Sequence, residues 1–94
     1  MATYILLGTL TDEGHKKFRK NPEWVEELDR DLEKKGIRIL SQFAVLGPYD
    51  MVMIIDAPDN KTVVHVSAQL TQRGSIKITT MPAIDIQEFL DTLK

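Results

Sequence analysis

Asp50 is the side chain of this sequence best placed for acid–base chemistry. It ends the turn segment Gly47-Pro48-Tyr49-Asp50, directly before the apolar run from Met51 to Ile55. A carboxylate at the edge of a sheet, partly removed from water, could act as an acid or base. The alternative is that Asp50 accepts hydrogen bonds from backbone amides and fixes the turn, as Asp commonly does. The sequence supplies no partner acid or base beside it, which favours the turn role.

The two histidines, His15 and His65, are the other candidates for proton transfer. A helical wheel places both on the polar side of predicted helices, so we expect them at the surface. The residues four positions further on are Arg19 and Gln69, which disfavours a helix-borne metal site. Cys is absent, which excludes thiolate catalysis and Cys-ligated metals, and the five glycines are too scattered for a phosphate loop. We expect neither a metal nor a cofactor.

The composition indicates one globular domain over residues 1–94, with 43% hydrophobic and 28% charged residues. The net charge of -2 gives no long-range attraction for nucleic acid, so nucleic acid is not an expected partner. No apolar stretch approaches the length of a membrane span, and a membrane location is not expected either. The first residues lack the basic region of a secretory signal, which makes a cytoplasmic location the expectation.

The first half of the sequence predicts a strand and a long helix. Thr3 to Gly8 is almost entirely apolar, as in a strand covered on both faces. Thr11 is suited to cap a helix, which Pro22 then interrupts. One kinked helix is favoured over two unrelated ones, because apolar residues on both sides of the proline share a face. These residues are Phe18, Trp24, Val25, Leu28 and Leu32.

The second half predicts three strands and two helices. The strands are Ile37 to Leu46, Met51 to Ile55 and Ser75 to Met81, the last of which Pro82 is expected to end. A helix capped by Asp59 is predicted from Asn60 to Arg73. Asp85 is the predicted cap of a short terminal helix, whose apolar residues are Ile86, Phe89, Leu90 and Leu93.

This order of elements predicts an α+β, ferredoxin-like βαββαβ fold. Right-handed crossovers place both main helices on one face of a four-stranded antiparallel sheet, with the first and third strands at its centre. Those strands are apolar throughout, so either Tyr4, Leu6, Met51 and Met53 or their neighbours of opposite parity face away from the helices. An apolar patch of this kind marks an interface. We therefore expect a homo-oligomer, a dimer or a multiple of dimers, in which two sheets pack as a dimeric α+β barrel.

The passage from Leu46 through Gly47, Tyr49 and Asp50 into the following strand resembles the GYD-domain family. The opening Thr3 to Gly8 and the closing Thr79 to Ala83 match the layout of that family, so the resemblance covers nearly the whole chain. It implies a small prokaryotic domain related to dimeric α+β-barrel proteins. That group includes cofactor-free monooxygenases, isomerases and ligand-sensing domains, and the resemblance assigns no catalytic residue.

Three functions stay open from the sequence. The leading hypothesis is an oligomeric module that holds a small molecule between packed sheets or simply assembles. The first alternative is a cofactor-independent enzyme of the monooxygenase or isomerase type, which requires a polar cavity between the sheets. The second is a protein interaction module. The candidate pocket or interface residues are Tyr4, Gln42, Tyr49, Asp50, Met51 and Met53.

Overall fold

The computed structural model describes all residues from Met1 to Lys94. Its elements in chain order are β1 (Ala2–Leu10), α1 (Asp12–Lys20), α2 (Trp24–Lys34), β2 (Arg38–Ala44), β3 (Met51–Ala57), α3 (Asn60–Gln72), β4 (Ile76–Ala83) and α4 (Ile86–Asp91). The four strands form one antiparallel sheet in the order β2-β3-β1-β4. The predicted ferredoxin-like fold is confirmed, with β1 and β3 at the centre of the sheet.

Three helices begin at the residues that the sequence indicates as caps. The Thr11 hydroxyl accepts a hydrogen bond from the Gly14 amide at 3.1 Å, and the Asp59 carboxylate accepts one from Thr62 at 2.8 Å. Asp85 does the same for Gln87 at 2.9 Å. Each bond satisfies an amide that has no partner within its own helix, so the local sequence fixes where α1, α3 and α4 begin.

The prediction of one kinked helix before β2 is wrong. α1 ends at Lys20 and α2 begins at Trp24, because Pro22 has no N–H to continue the helical ladder. The Trp24 amide instead donates to the Asn21 carbonyl at 3.0 Å. The rings of Phe18 and Trp24 still meet edge to face with centroids 6.2 Å apart. The shared apolar face therefore joins two separate helices.

The prediction that Pro82 ends the last strand is also wrong, since β4 continues through it to Ala83. β4 lies at an edge of the sheet, where a residue without an N–H is tolerated. β2 is shorter than predicted, and its pairing with β3 shifts register between Ile39 and Ser41.

The core lies between the sheet and the helices and contains 13 buried apolar residues. α1 approaches β4 so closely that a Cβ on Gly14 would lie 1.9 Å from the Ser75 carbonyl oxygen.

Candidate functional site

The two central strands have one buried face and one open face. In β1, Tyr4 and Leu6 are 2% and 4% exposed beneath the helices, whereas Ile5 and Leu7 are only partly buried. In β3, Met53 and Ile55 are buried in the same way. The partly buried Ile5 and Leu7 of β1, with Val52 and Ile54 of β3, therefore point away from the helices, whereas the partly buried Met51 packs against the core. Of the two parities that the sequence left open, the structure has the one that exposes Ile5 and Leu7.

The residues of the open face lie in three rows across the sheet, as the strand register defines them. The first row is Phe43, Val52, Leu7 and Thr79, and the second is Ser41, Ile54, Ile5 and Met81. The third row is Arg38, Asp56, Thr3 and Ala83. Phe43 is 54% exposed and Met81 is 39% exposed, so the two apolar rows are uncovered at both edges of the sheet. We call the three rows together the open face.

The third row adds polar groups at one end of the open face. The Thr3 hydroxyl donates a hydrogen bond to the Asp56 carboxylate at 2.9 Å, and Arg38 lies opposite Asp56 on β2. An apolar centre bordered by paired polar side chains is the usual anatomy of a protein interface. The apolar centre of the open face can exclude water from a contact with another protein chain, and the polar third row can orient that chain.

Four of the predicted site residues lie on the helix side of the sheet. Tyr4 and Met53 are buried there, and Met51 packs against the core from a partly buried position. Gln42 donates a hydrogen bond from its amide nitrogen to Asp29 of α2 at 2.7 Å. Burial raises the pKa of Asp29, and the bond from Gln42 opposes that rise. These side chains hold the helices to the sheet and do not reach the open face.

The other two predicted residues, Tyr49 and Asp50, are partly buried in the turn between β2 and β3. The Asp50 carboxylate accepts a hydrogen bond from the Leu10 amide at 2.8 Å. The Asp50 amide donates to the Gly8 carbonyl at 2.8 Å, and its carbonyl accepts from the Val45 amide at 3.0 Å. Asp50 thus ties the turn to the end of β1, and its carboxylate is already engaged with the backbone.

A cleft of about 380 Å³ opens between α3 and the end of the sheet. Within it the Tyr4 hydroxyl donates to the side-chain oxygen of Asn60. The hydroxyls of Ser67 and Thr80 lie 2.8 Å apart and bond to each other. The cleft contains no ionisable group other than the Tyr4 phenol. Its polar groups are paired with one another across the contact between α3 and the sheet.

No group of three or more His, Cys, Asp or Glu residues is arranged to hold a metal ion. His15 and His65 are both exposed on their helices. None of the helices has both the length and the apolar character needed to cross a membrane.

The apolar residues of the open face, Ile5, Leu7, Val52 and Ile54, have one of the two parities that the sequence leaves open, but none of them is among the predicted site residues. A signal for them is nevertheless present in the sequence. The polar residues Thr3 and Asp56 have the same parity as these apolar residues within their strands, whereas the opposite parity carries only Tyr4 as a polar group. In a ferredoxin-like sheet the parity that carries polar residues is the one expected to face away from the helices.

The sheet order, the position of the helices and the single uncovered face define a ferredoxin-like α+β domain. The sequence profile of the GYD domain matches residues 4–93, nearly the whole chain. The chain belongs to the GYD domain family.

Known proteins resemble this chain in sequence and in fold. A protein of Thermus thermophilus, named glutamine synthetase and cystathionine beta-lyase binding protein, is 43% identical over 95 residues, with 100% of both chains covered. The crystal structure of MtbAldR superposes with a TM-score of 0.70 at 13% identity, over 89% of this chain and 52% of that one. A crystal structure of a Thermus thermophilus protein gives a TM-score of 0.62 at 20% identity, over 90% and 95% of the two chains. At these identities the two structures support the fold alone.

Proposed function

We propose that this protein is a homo-oligomeric interaction module that binds a metabolic enzyme. In this proposal the open faces of two chains pack against each other as a dimeric α+β barrel, and the assembled surface carries the partner enzyme. The single observation that carries the proposal is the open face, whose two apolar rows have no cover within the chain. Apolar patches of this kind mark contact surfaces in soluble proteins.

The choice of a binding role over a catalytic one is supported by the positions of the polar groups. The open face carries few ionisable side chains, of which Asp56 is hydrogen-bonded to Thr3. The Asp50 carboxylate is bonded to the backbone of β1. Tyr4 and Gln42 face the helices, so they cannot line a cavity between two open faces. No observation favours the enzyme alternative at these residues.

The choice of a metabolic enzyme as partner is supported by the relative from Thermus thermophilus. That protein is named for binding glutamine synthetase and cystathionine β-lyase, and the two chains align over their entire lengths. Glutamine synthetase and cystathionine β-lyase, both enzymes of amino-acid metabolism, are therefore the first partners to test with this chain.

The assembly part of the proposal is tested by light scattering coupled to size exclusion at micromolar concentration. We expect a mass that is an even multiple of the 10.7 kDa chain. Ile54→Lys places a charge in the centre of the open face and should give a monomer that retains its circular dichroism spectrum. Leu46→Lys is the matched control, because Leu46 is fully exposed in the turn. A monomeric wild type, or an unchanged mass for Ile54→Lys, would overturn the barrel.

The partner part is tested separately with purified glutamine synthetase and purified cystathionine β-lyase on a biosensor surface. We expect saturable binding of at least one of them by the wild-type oligomer and by Leu46→Lys. Absence of binding to both enzymes, at concentrations up to about 100 μM, would contradict this part and leave the assembly result unaffected.

A further inference from the structure

The segment after β4, Ile84 to Lys94, is exposed at every residue, and we call it the C-terminal arm. Its side chains make hydrogen bonds and a salt bridge only within the arm, as between Lys94 and Asp91. None of its residues is buried. The molecule measures 51 Å along its longest axis, whereas the nine residues of β1 span only about 30 Å, so the molecule is longer than its central strand.

The arm nevertheless has the sequence of a packed helix. Its apolar side chains Ile86, Phe89, Leu90 and Leu93 follow the spacing of one helical face and are between 43% and 68% exposed. A helix of only six residues is not stable in water by itself, because the cost of its first turn exceeds what its few hydrogen bonds return. The arm therefore needs a surface that covers this face.

The direction of the chain leads the arm away from its own α3. Ala83 of β4 pairs with Thr3 of β1 and Ala2 pairs with Ala57 of β3, so the arm leaves the sheet at the end where α3 begins. To cover its own α3, the chain would have to reverse direction immediately after Ala83. Asp85 is instead extended, with φ −58 and ψ 140, and no residue other than glycine has a positive φ. A second copy of the chain is the more accessible receptor.

The outer surface of α3 offers a groove of about 990 Å³ for the arm. We call it the α3 groove, and its lining includes Lys35, Lys61, Val64, His65 and Ala68. Val64 is 68% exposed and, with Ala68, forms an uncovered apolar strip.

The charges of the two surfaces are complementary. From residue 60 to residue 73 the chain has no Asp or Glu, whereas the arm carries Asp85, Glu88 and Asp91 against the single cation of Lys94. Opposite charges around an apolar contact favour the correct register of two surfaces.

We propose that the C-terminal arm of each chain docks in the α3 groove of a second copy of the chain. The apolar face of α4 packs on Val64 and Ala68, and the carboxylate of Glu88 lies near the ammonium group of Lys61. This contact uses the helix side of the fold, so it is separate from the pairing of open faces and can join barrels into larger assemblies.

Cysteine cross-linking tests the contact directly, because the chain has no Cys of its own. Val64→Cys and Leu90→Cys chains are mixed and oxidised, and a disulfide-linked species of two chains is expected on a non-reducing gel. Leu46→Cys mixed with Val64→Cys is the control and should give several-fold less product, although Leu46 is 101% exposed and therefore more accessible than Leu90, which is 43% exposed. Failure of the mixture to exceed this control overturns the proposal. A chain that carries both Val64→Cys and Leu90→Cys is a second check, and a disulfide that forms only within single chains of it also overturns the proposal, because that places the arm on its own α3.

Two further measurements do not depend on disulfide geometry. Phe89→Ser should weaken the association of chains about tenfold or more with an unchanged fold, because Phe89 is exposed in the single chain. Lys61→Glu and Glu88→Lys should each weaken it, and mixing the two variants should restore part of the loss, since the mixture recreates opposite charges across the contact. An unchanged association constant for Phe89→Ser, or no recovery in the mixture, contradicts the docking.

Discussion

Replacing Asp50 by alanine should destabilise the protein through one identifiable hydrogen bond. The Leu10 amide donates to the Asp50 carboxylate at 2.8 Å, at the point where β1 ends and the turn approaches it. The two backbone bonds of residue 50, to Gly8 and Val45, do not depend on the side chain. Asp50→Ala therefore removes the acceptor of one partly buried amide and leaves the rest of the turn in place.

The magnitude follows from the kind of bond that is lost. A hydrogen bond to a charged acceptor contributes about 1.5–3 kcal/mol, and a buried amide without a partner costs a similar amount. Because Asp50 is only partly buried, water recovers some of this cost. We expect a loss of about 2 kcal/mol, which lowers the melting temperature of a domain of this size by about 10 °C. Asp50→Asn keeps an acceptor oxygen and should lose about 1 kcal/mol or less.

Urea unfolding followed by circular dichroism measures these differences, at one fixed protein concentration because association also contributes to stability. Glu33→Ala is the control, since Glu33 is an exposed carboxylate without a side-chain bond, and it should change stability by less than about 0.5 kcal/mol. The reasoning is refuted if Asp50→Ala is as stable as this control. It is equally refuted if Asp50→Asn loses as much stability as Asp50→Ala, because the acceptor oxygen would then be irrelevant.

Three more predictions concern stability and its dependence on pH. Gly14→Ala should cost at least about 2 kcal/mol in thermal unfolding, because its Cβ would lie 1.9 Å from the Ser75 carbonyl oxygen. Asp29→Asn should stabilise the protein at neutral pH, because burial raises the pKa of Asp29 and penalises its charged form, while the Asn oxygen can still accept from Gln42. That gain should disappear as the pH falls through the pKa of Asp29, where the wild-type carboxyl becomes neutral. Asp59→Ala should destabilise at neutral pH, because its hydrogen bonds to the start of α3 hold the pKa of Asp59 below its ordinary value. This loss should shrink as the pH falls through that lowered pKa.

Each of these three predictions has a defined contrary result. Lys16→Ala, at an exposed position of α1, is the control for Gly14→Ala, and equal stability of the two variants would contradict the steric argument. Urea unfolding between about pH 3 and pH 8 should show opposite signs for the neutral-pH effects of Asp29→Asn and Asp59→Ala. Two pH profiles parallel to that of the wild type would contradict the pKa assignments.

The sequence was sufficient for the fold because local signals and topology agree. Thr11, Asp59 and Asp85 are all observed as caps, and the two strands with apolar residues on both faces are the two central ones. The two wrong predictions of element boundaries concern prolines, each of which is physically compatible with two local structures. Pro22 could kink a helix or separate two helices, and Pro82 could end a strand or continue it at a sheet edge. The sequence pattern around each proline is compatible with both outcomes, and for Pro82 the edge position of β4, which the local sequence does not show, allows the strand to continue.

The candidate site was harder to predict, because strands with apolar residues on both faces do not show which face is covered. That one apolar face of the sheet is uncovered follows from the predicted fold alone. To predict that Ile5 and Leu7, and not Tyr4 and Leu6, lie on the uncovered face, one must know which face the polar residues of the strand occupy. Thr3 and Tyr4 are both polar but point to opposite faces, so they give opposite predictions. The Tyr4 hydroxyl is compatible with burial because Asn60 of α3 accepts its hydrogen bond, a contact between residues 56 positions apart. No local pattern encodes such a contact.

The central position of β1 has a consequence for the order of events during synthesis. β1 leaves the ribosome before the other strands of this domain, yet its two neighbours in the sheet are residues 51–57 and residues 76–83. At about 5–20 residues per second, the last of these neighbours follows β1 by roughly 4–15 s. For the first part of that interval β1 has neither neighbour, and until β4 is made it can pair with β3 alone. We expect this domain to fold late in translation, with its first strand available to chaperones until β4 is made.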